Sequence, residues 1–91
     1  KAHYNAGYLL VQLGRVDEGW SHYTAGLRLD PASASTHNKI GLAFAGWGLL
    51  DQAVYCFRQA LAVDPGLEDA QFNLRAAREA ADAVGREQGR D

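Results

Sequence analysis

A shift of 34 residues lays this chain upon itself. His3 then falls on His37, Gly7 on Gly41, Gly14 on Gly48 and Asp17 on Asp51. Leu27 falls on Leu61, Asp30 on Asp64 and Pro31 on Pro65. Where identity is lost, size is kept: Leu10 meets Phe44, Val16 meets Leu50, Gly19 meets Ala53, Tyr23 meets Phe57, Gly26 meets Ala60 and Leu29 meets Val63. Volume kept at a fixed spacing marks repeated packing, because a shared core constrains volume before identity. The chain is therefore read as like units stacked on one another.

Each unit reads as two helices. In the first, Ala6, Leu9, Leu10 and Leu13 recur at helical spacing, with Ala2 a turn earlier, and Gly14 ends the segment. Asp17 caps the second helix or lies in its first turn. That helix runs to about Leu29, with Trp20, Tyr23 and Leu27 inward and the small Gly19 and Gly26 between them. A helical glycine costs about 0.5–1 kcal/mol relative to alanine. Two on one face indicate that another helix crosses closely. Asp30-Pro31 stops the helix, since the residue before proline avoids the α region.

In the linker Ala32-Ser33-Ala34-Ser35, either serine is placed to cap a third helix, about Ser35 to Trp47. Its stripe is Ile40, Ala43, Phe44 and Trp47, with Gly41 at the close approach and Gly48 at the end. A fourth helix follows, opened by Asp51 and reaching about Val63, with Ala53, Val54, Phe57, Ala60 and Leu61 inward. Asp64-Pro65-Gly66 is the second stop. A fifth helix spans about Leu67 to Val84 on a stripe of Ala70, Leu74, Ala77, Ala81 and Val84, and the polar tail from Gly85 to Asp91 is expected to fray.

Together these features resemble tetratricopeptide repeats. The first repeat carries the resemblance at Tyr4, Asn5, Gly7, Leu10, Gly14, Asp17, Glu18, Tyr23, Leu27, Leu29, Asp30 and Pro31. The second carries it at Ile40, Gly41, Phe44, Gly48, Asp51, Ala53, Phe57, Ala60, Leu61, Asp64 and Pro65. The chain departs from the family at His3, His37 and Gln71, where a large aromatic is usual, and at Gly19 and Gly26, where alanine is commoner. The resemblance implies an all-α, right-handed solenoid of antiparallel helix pairs. Residues 1–33 form repeat 1, 34–67 repeat 2, 68–85 a capping helix and 86–91 a frayed polar tail. The cap rests on Arg75 and Arg78, which fall where Gly7 and Leu10, and Gly41 and Phe44, meet a second helix. Terminal repeats with a polar outer face keep a solenoid soluble.

Composition narrows the function. The 91 residues hold 9 basic and 11 acidic groups, a formal charge of −2, which leaves no electrostatic footprint for nucleic acid. A hydrophobic fraction of 47% excludes bulk disorder. No apolar run approaches the ~18 residues that would span a bilayer, and no signal segment is evident. The chain begins at Lys1 inside a helical pattern and contains no Met, so it reads as a fragment with further repeats expected upstream, or with self-association through the uncovered first helix. Its single Cys56 permits no internal disulfide and accords with a reducing compartment; the cytoplasm is the expected location. Cys56, between inward Ala53 and Phe57, reads as a partly buried structural thiol.

No phosphate loop, nucleophile motif or Cys/His ligand cluster is present. His3 and His37 occupy equivalent places on neighbouring first helices, but no third ligand accompanies them, so they read as packing or surface residues. The expectation is a non-catalytic module without metal or cofactor.

What remains is the face of the first helices, which the family resemblance makes the concave, peptide-holding surface. Asn5, Lys39 and Asn73 recur every 34 residues along it. With neighbouring helices about 10 Å apart, Asn5 and Asn73 would stand about 20 Å apart, the span of about six extended residues. An amide offers donors and an acceptor to any peptide backbone. The series resembles the asparagine ladder of O-linked N-acetylglucosamine transferases, with Lys39 as the departure; repeat ancestry alone also places asparagine there. Tyr4, Tyr8, Gln12, Asn38, Leu42 and Phe72 complete the candidate peptide site. The family's carboxylate-clamping mode fits poorly, since Lys39 is the one central cation and Asp69 stands where a basic residue is wanted. The expected function is binding of an extended peptide or partner helix. The alternatives are a substrate-selecting region of a longer enzyme, such as a glycosyltransferase, or self-assembly.

Overall fold

The computed structural model describes residues 2–29 and 33–88. They form five α-helices: α1 (Ala2–Gln12), α2 (Val16–Leu29), α3 (Ala34–Gly46), α4 (Leu50–Val63) and α5 (Glu68–Gln88). No strand occurs among the described residues. The expected stop at Asp30-Pro31 lies outside them.

The two hairpin turns are built alike. Gly14 and Gly48 have φ of +86° and +74°, the left-handed region that side chains disfavour. Around Gly14, Arg15 N–H donates to Leu10 C=O at 2.8 Å and Gly14 N–H to Val11 C=O at 3.0 Å. Around Gly48, Leu49 N–H donates to Phe44 C=O at 3.1 Å and Gly48 N–H to Ala45 C=O at 2.9 Å. This pair of bonds is the Schellman closure, which satisfies carbonyls that a helix end leaves open. Asp17 and Asp51 then lie in the first turns of α2 and α4, near the positive ends of the dipoles. Of the two candidate serines, Ser33 caps α3: its Oγ accepts from Thr36 N–H at 3.2 Å. α5 continues across Gly85 to Gln88, four residues beyond the end expected at Val84.

The main core contains Tyr4, Val11, Tyr23, Ile40, Phe44, Ala53, Cys56, Phe57 and Ala77, drawn from all five helices. A smaller cluster of Ala34, Ala60 and Ala70, flanked by Leu61 and Leu67, joins α3, α4 and α5. Glycine sets the helix crossings. A Cβ on Gly7 would sit 3.0 Å from Gly19 C=O, and one on Gly19 would sit 3.0 Å from Gly7 C=O and 2.5 Å from Val11 Cγ2. In the second repeat a Cβ on Gly41 would meet the Phe57 ring at 2.6 Å. Trp20 joins the repeats, with edge-on contacts to Phe44 and Tyr55 at 5.5 Å between ring centroids.

Four expected apolar positions depart from the core. Leu9 and Leu13 are 57% and 73% exposed; Tyr4, Gly7 and Val11 form the buried stripe of α1 instead. Trp47 is 53% exposed because it caps α3 with φ −97° and ψ 6°, past the last helical residue. There its ring lies over the α1–α2 turn, 3.4 Å from where a Gly14 Cβ would be. Val84, on the outer length of α5, is also exposed.

Candidate functional site

The helices α1, α3 and α5 follow one another side by side, with α3 touching both neighbours. Asn5 and Lys39 are exposed on α1 and α3, and Asn73 is half-buried on α5. Two side-chain contacts tie these helices across the surface. Lys39 Nζ stands 4.3 Å from the centroid of the Tyr8 ring. A cation over an aromatic face is attracted by the ring's negative potential. Tyr8 is in turn held by Gln12, whose Nε2 donates to its hydroxyl at 2.9 Å. On the other side, Asn73 Nδ2 donates to Asn38 Oδ1 at 3.0 Å. Leu42 and Phe72 are 48% and 66% exposed.

Tyr4 does not belong with them. It is 4% exposed and lies in the core, edge-on to Tyr23 and His37. Gly26 makes room for it: a Cβ there would lie 2.9 Å from the Tyr4 ring. One helix's periodicity does not reveal a glycine slot on its partner, so the sequence alone leaves Tyr4 on the open surface. The amides also differ from a free ladder, since Asn73 spends a donor on Asn38 while Asn5 remains exposed.

The equivalence of His3 and His37 does not extend to their surroundings. His37 is 2% exposed, and its Nδ1 lies 2.7 Å from the Tyr23 hydroxyl. Burial lowers its pKa below the ordinary value, since a charged imidazole would lose hydration. Burial raises that of Tyr23, with Cys56 adding to the effect. Cys56 itself is fully buried, more deeply than expected, and its thiol is pushed up to about 12 by desolvation, against a hydrogen bond from Tyr23 that lowers it. These three groups join α2, α3 and α4 in one polar contact inside the core. His3 pairs instead with His22 on α2, with Nδ1 atoms 3.3 Å apart. Among the described residues no group of three or more His, Cys, Asp or Glu could hold a metal ion.

A groove of about 390 Å³ lies between α4 and α5, lined by Asp51, Val54, Tyr55, Arg58, Arg78, Ala81 and Asp82. It carries both signs of charge. Its only sequence signal is Arg78 at the register of Phe44. No described helix is long and apolar enough to cross a membrane.

Paired antiparallel helices with like turns, like glycine crossings and a shared core define an α-helical solenoid. A family model described as Tetratricopeptide repeat matches residues 1–33 and 34–67. The chain belongs to the tetratricopeptide repeat family, whose repeats generally mediate protein–protein interaction and are typically non-catalytic. The searches of curated proteins and of solved structures each found no match.

Proposed function

We propose that this chain holds an extended segment of a partner protein on the surface of α1, α3 and α5. The observation that carries the reading is the Lys39–Tyr8 contact beside the Asn38–Asn73 hydrogen bond. Together they pre-order polar groups from three helices on one face, with exposed Leu42 and Phe72 as apolar anchors. Pre-ordered groups lose less freedom when a ligand arrives. Asn5 and Asn73 bind peptide backbone, and Lys39 favours a segment with an acidic side chain near its middle. Capture of partners by the intact chain, compared with an Asn5→Ala/Lys39→Ala/Asn73→Ala variant of unchanged helicity, tests this. Loss of the captured species supports the site, and equal capture sinks it.

The fifth helix serves as the cap. It covers the Ala34–Ala60 cluster with Ala70 while exposing Arg75 and Arg78. A second reading, self-association through α1, is favoured by the exposure of Leu9 and Leu13. Light scattering over a dilution series decides it: a mass that stays monomeric at high concentration removes it.

A further inference from the structure

The sequence register pairs His3 with His37, but the α1–α2 hairpin pairs it with His22. The two Nδ1 atoms are 3.3 Å apart, the ring centroids 5.5 Å apart and the planes inclined at 35°. Both side chains are half-buried. The approach follows from the glycine crossing: a Cβ on Gly7 would already meet Tyr23 N at 3.3 Å and His22 Cβ at 3.6 Å. Larger residues at Gly7 and Gly19 would hold the imidazoles apart. The proposed peptide surface uses neither histidine.

We propose that His3 and His22 form a two-histidine chelate for a divalent transition-metal ion of the zinc type. Two nitrogens on one tetrahedral zinc, each bound at about 2.0–2.1 Å, stand about 3.3–3.4 Å from each other. The Nδ1 atoms stand at that separation, so an ion is captured without moving either helix. Imidazole nitrogen suits zinc, copper and nickel alike. In the ion-free pair one Nδ1 carries the hydrogen shared between the rings. Binding takes both rings as Nε2–H tautomers, so that hydrogen relocates through solvent to Nε2. The other coordination positions fall to water or to a group on another molecule, since no third ligand among the described residues accompanies the pair. The site is thus open and exchangeable, unlike a closed four-ligand structural zinc. An ion there ties α1 to α2 and stabilises the folded chain, by an amount that grows with the logarithm of free ion concentration once it exceeds Kd.

Calorimetric titration of the whole chain with zinc chloride alone tests the site. One ion per chain is expected, with a thermal unfolding midpoint that rises on adding Zn²⁺. His3→Gln and His22→Gln each keep a polar side chain of similar reach. Each is expected to weaken binding at least about tenfold, since losing even an outer partner of a ligand costs that much, and to remove the thermal shift. Circular dichroism establishes that each variant is folded. Imidazole nitrogen NMR of the unsubstituted chain decides the matter independently: Zn²⁺ must shift Nδ1 of His3 and His22 and leave buried His37 in place. No binding at millimolar Zn²⁺, affinity indifferent to both substitutions, or shifts confined to other groups overturns the proposal.

Discussion

Tyr23 and His37 form the contact that most separates the first repeat interface from the second. A hydroxyl on α2 meets an imidazole on α3 at 2.7 Å, both inside the core. Removing one partner strands the other, and a buried unsatisfied polar group costs about 1–3 kcal/mol. Tyr23→Phe is therefore expected to lower stability by about that much in urea unfolding. Adding His37→Leu to Tyr23→Phe should cost less than the sum of the two single changes. The same burial makes the fold acid-sensitive. Because the folded pKa of His37 lies below the unfolded value, its full contribution is present above about pH 6.5 and declines as pH falls towards the folded pKa. The urea midpoint should drop from pH 7.5 to pH 5, and His37→Gln should flatten that dependence. Tyr23 was legible as an inward residue from its place in the α2 stripe. His37 was not, because its partner sits on another helix, where the period of α3 carries no information.

Glycine acts at the scale of the helix, and its value depends on what stands opposite. Gly41 faces the Phe57 ring, which an added Cβ would meet at 2.6 Å, and Cys56 Cβ at 3.0 Å. Overpacking of this kind costs about 1–3 kcal/mol, more than the helix propensity gained. Gly46, near the end of the same helix, has nothing within 4 Å of a Cβ. Gly41→Ala is expected to destabilise the chain, and Gly46→Ala to stabilise it by up to about 0.5–1 kcal/mol; thermal unfolding of the two variants checks the opposite signs. Gly7, Gly14, Gly41 and Gly48 were readable because they repeat with the register and because their neighbours leave few other roles. Helix ends were readable where a glycine or a capping side chain stops the helix, as at Gly14 and Gly48. At Gly85 no such closure exists, and α5 runs on to Gln88. Leu9 and Leu13 fit the helical period of α1 yet lie outside the core, since periodicity finds an apolar face without naming what covers it. On the candidate peptide surface, the 34-residue register placed Asn5, Lys39 and Asn73. It could not show that Asn73 bonds to Asn38 or that Lys39 rests on Tyr8, because both contacts join non-equivalent positions.

For the whole molecule, stability is shared along the stack through neighbouring interfaces. Cys56 reports on it. With its side chain fully buried and its pKa pushed up to about 12, the thiol should resist alkylation in the folded chain. Labelling should instead follow opening of α4, speeding up in parallel with loss of stability in the Gly41→Ala variant. Fast labelling of the native chain would show that α4 opens independently of the core. The Tyr23–His37 bond carries a further consequence for how such units can be joined. In the second repeat the register places Phe57 where Tyr23 stands in the first, and Gln71 where His37 stands. A second copy of residues 34–67 inserted after the first would set a new His37 against Phe57, which has no hydroxyl to offer. An imidazole would then be buried without its mate, whereas a copy of residues 1–33 placed ahead of the chain would set its Tyr23 against His3. The repeats thus share a shape but have a fixed order, and lengthening the array demands a matched tyrosine and histidine at each new junction, or neither.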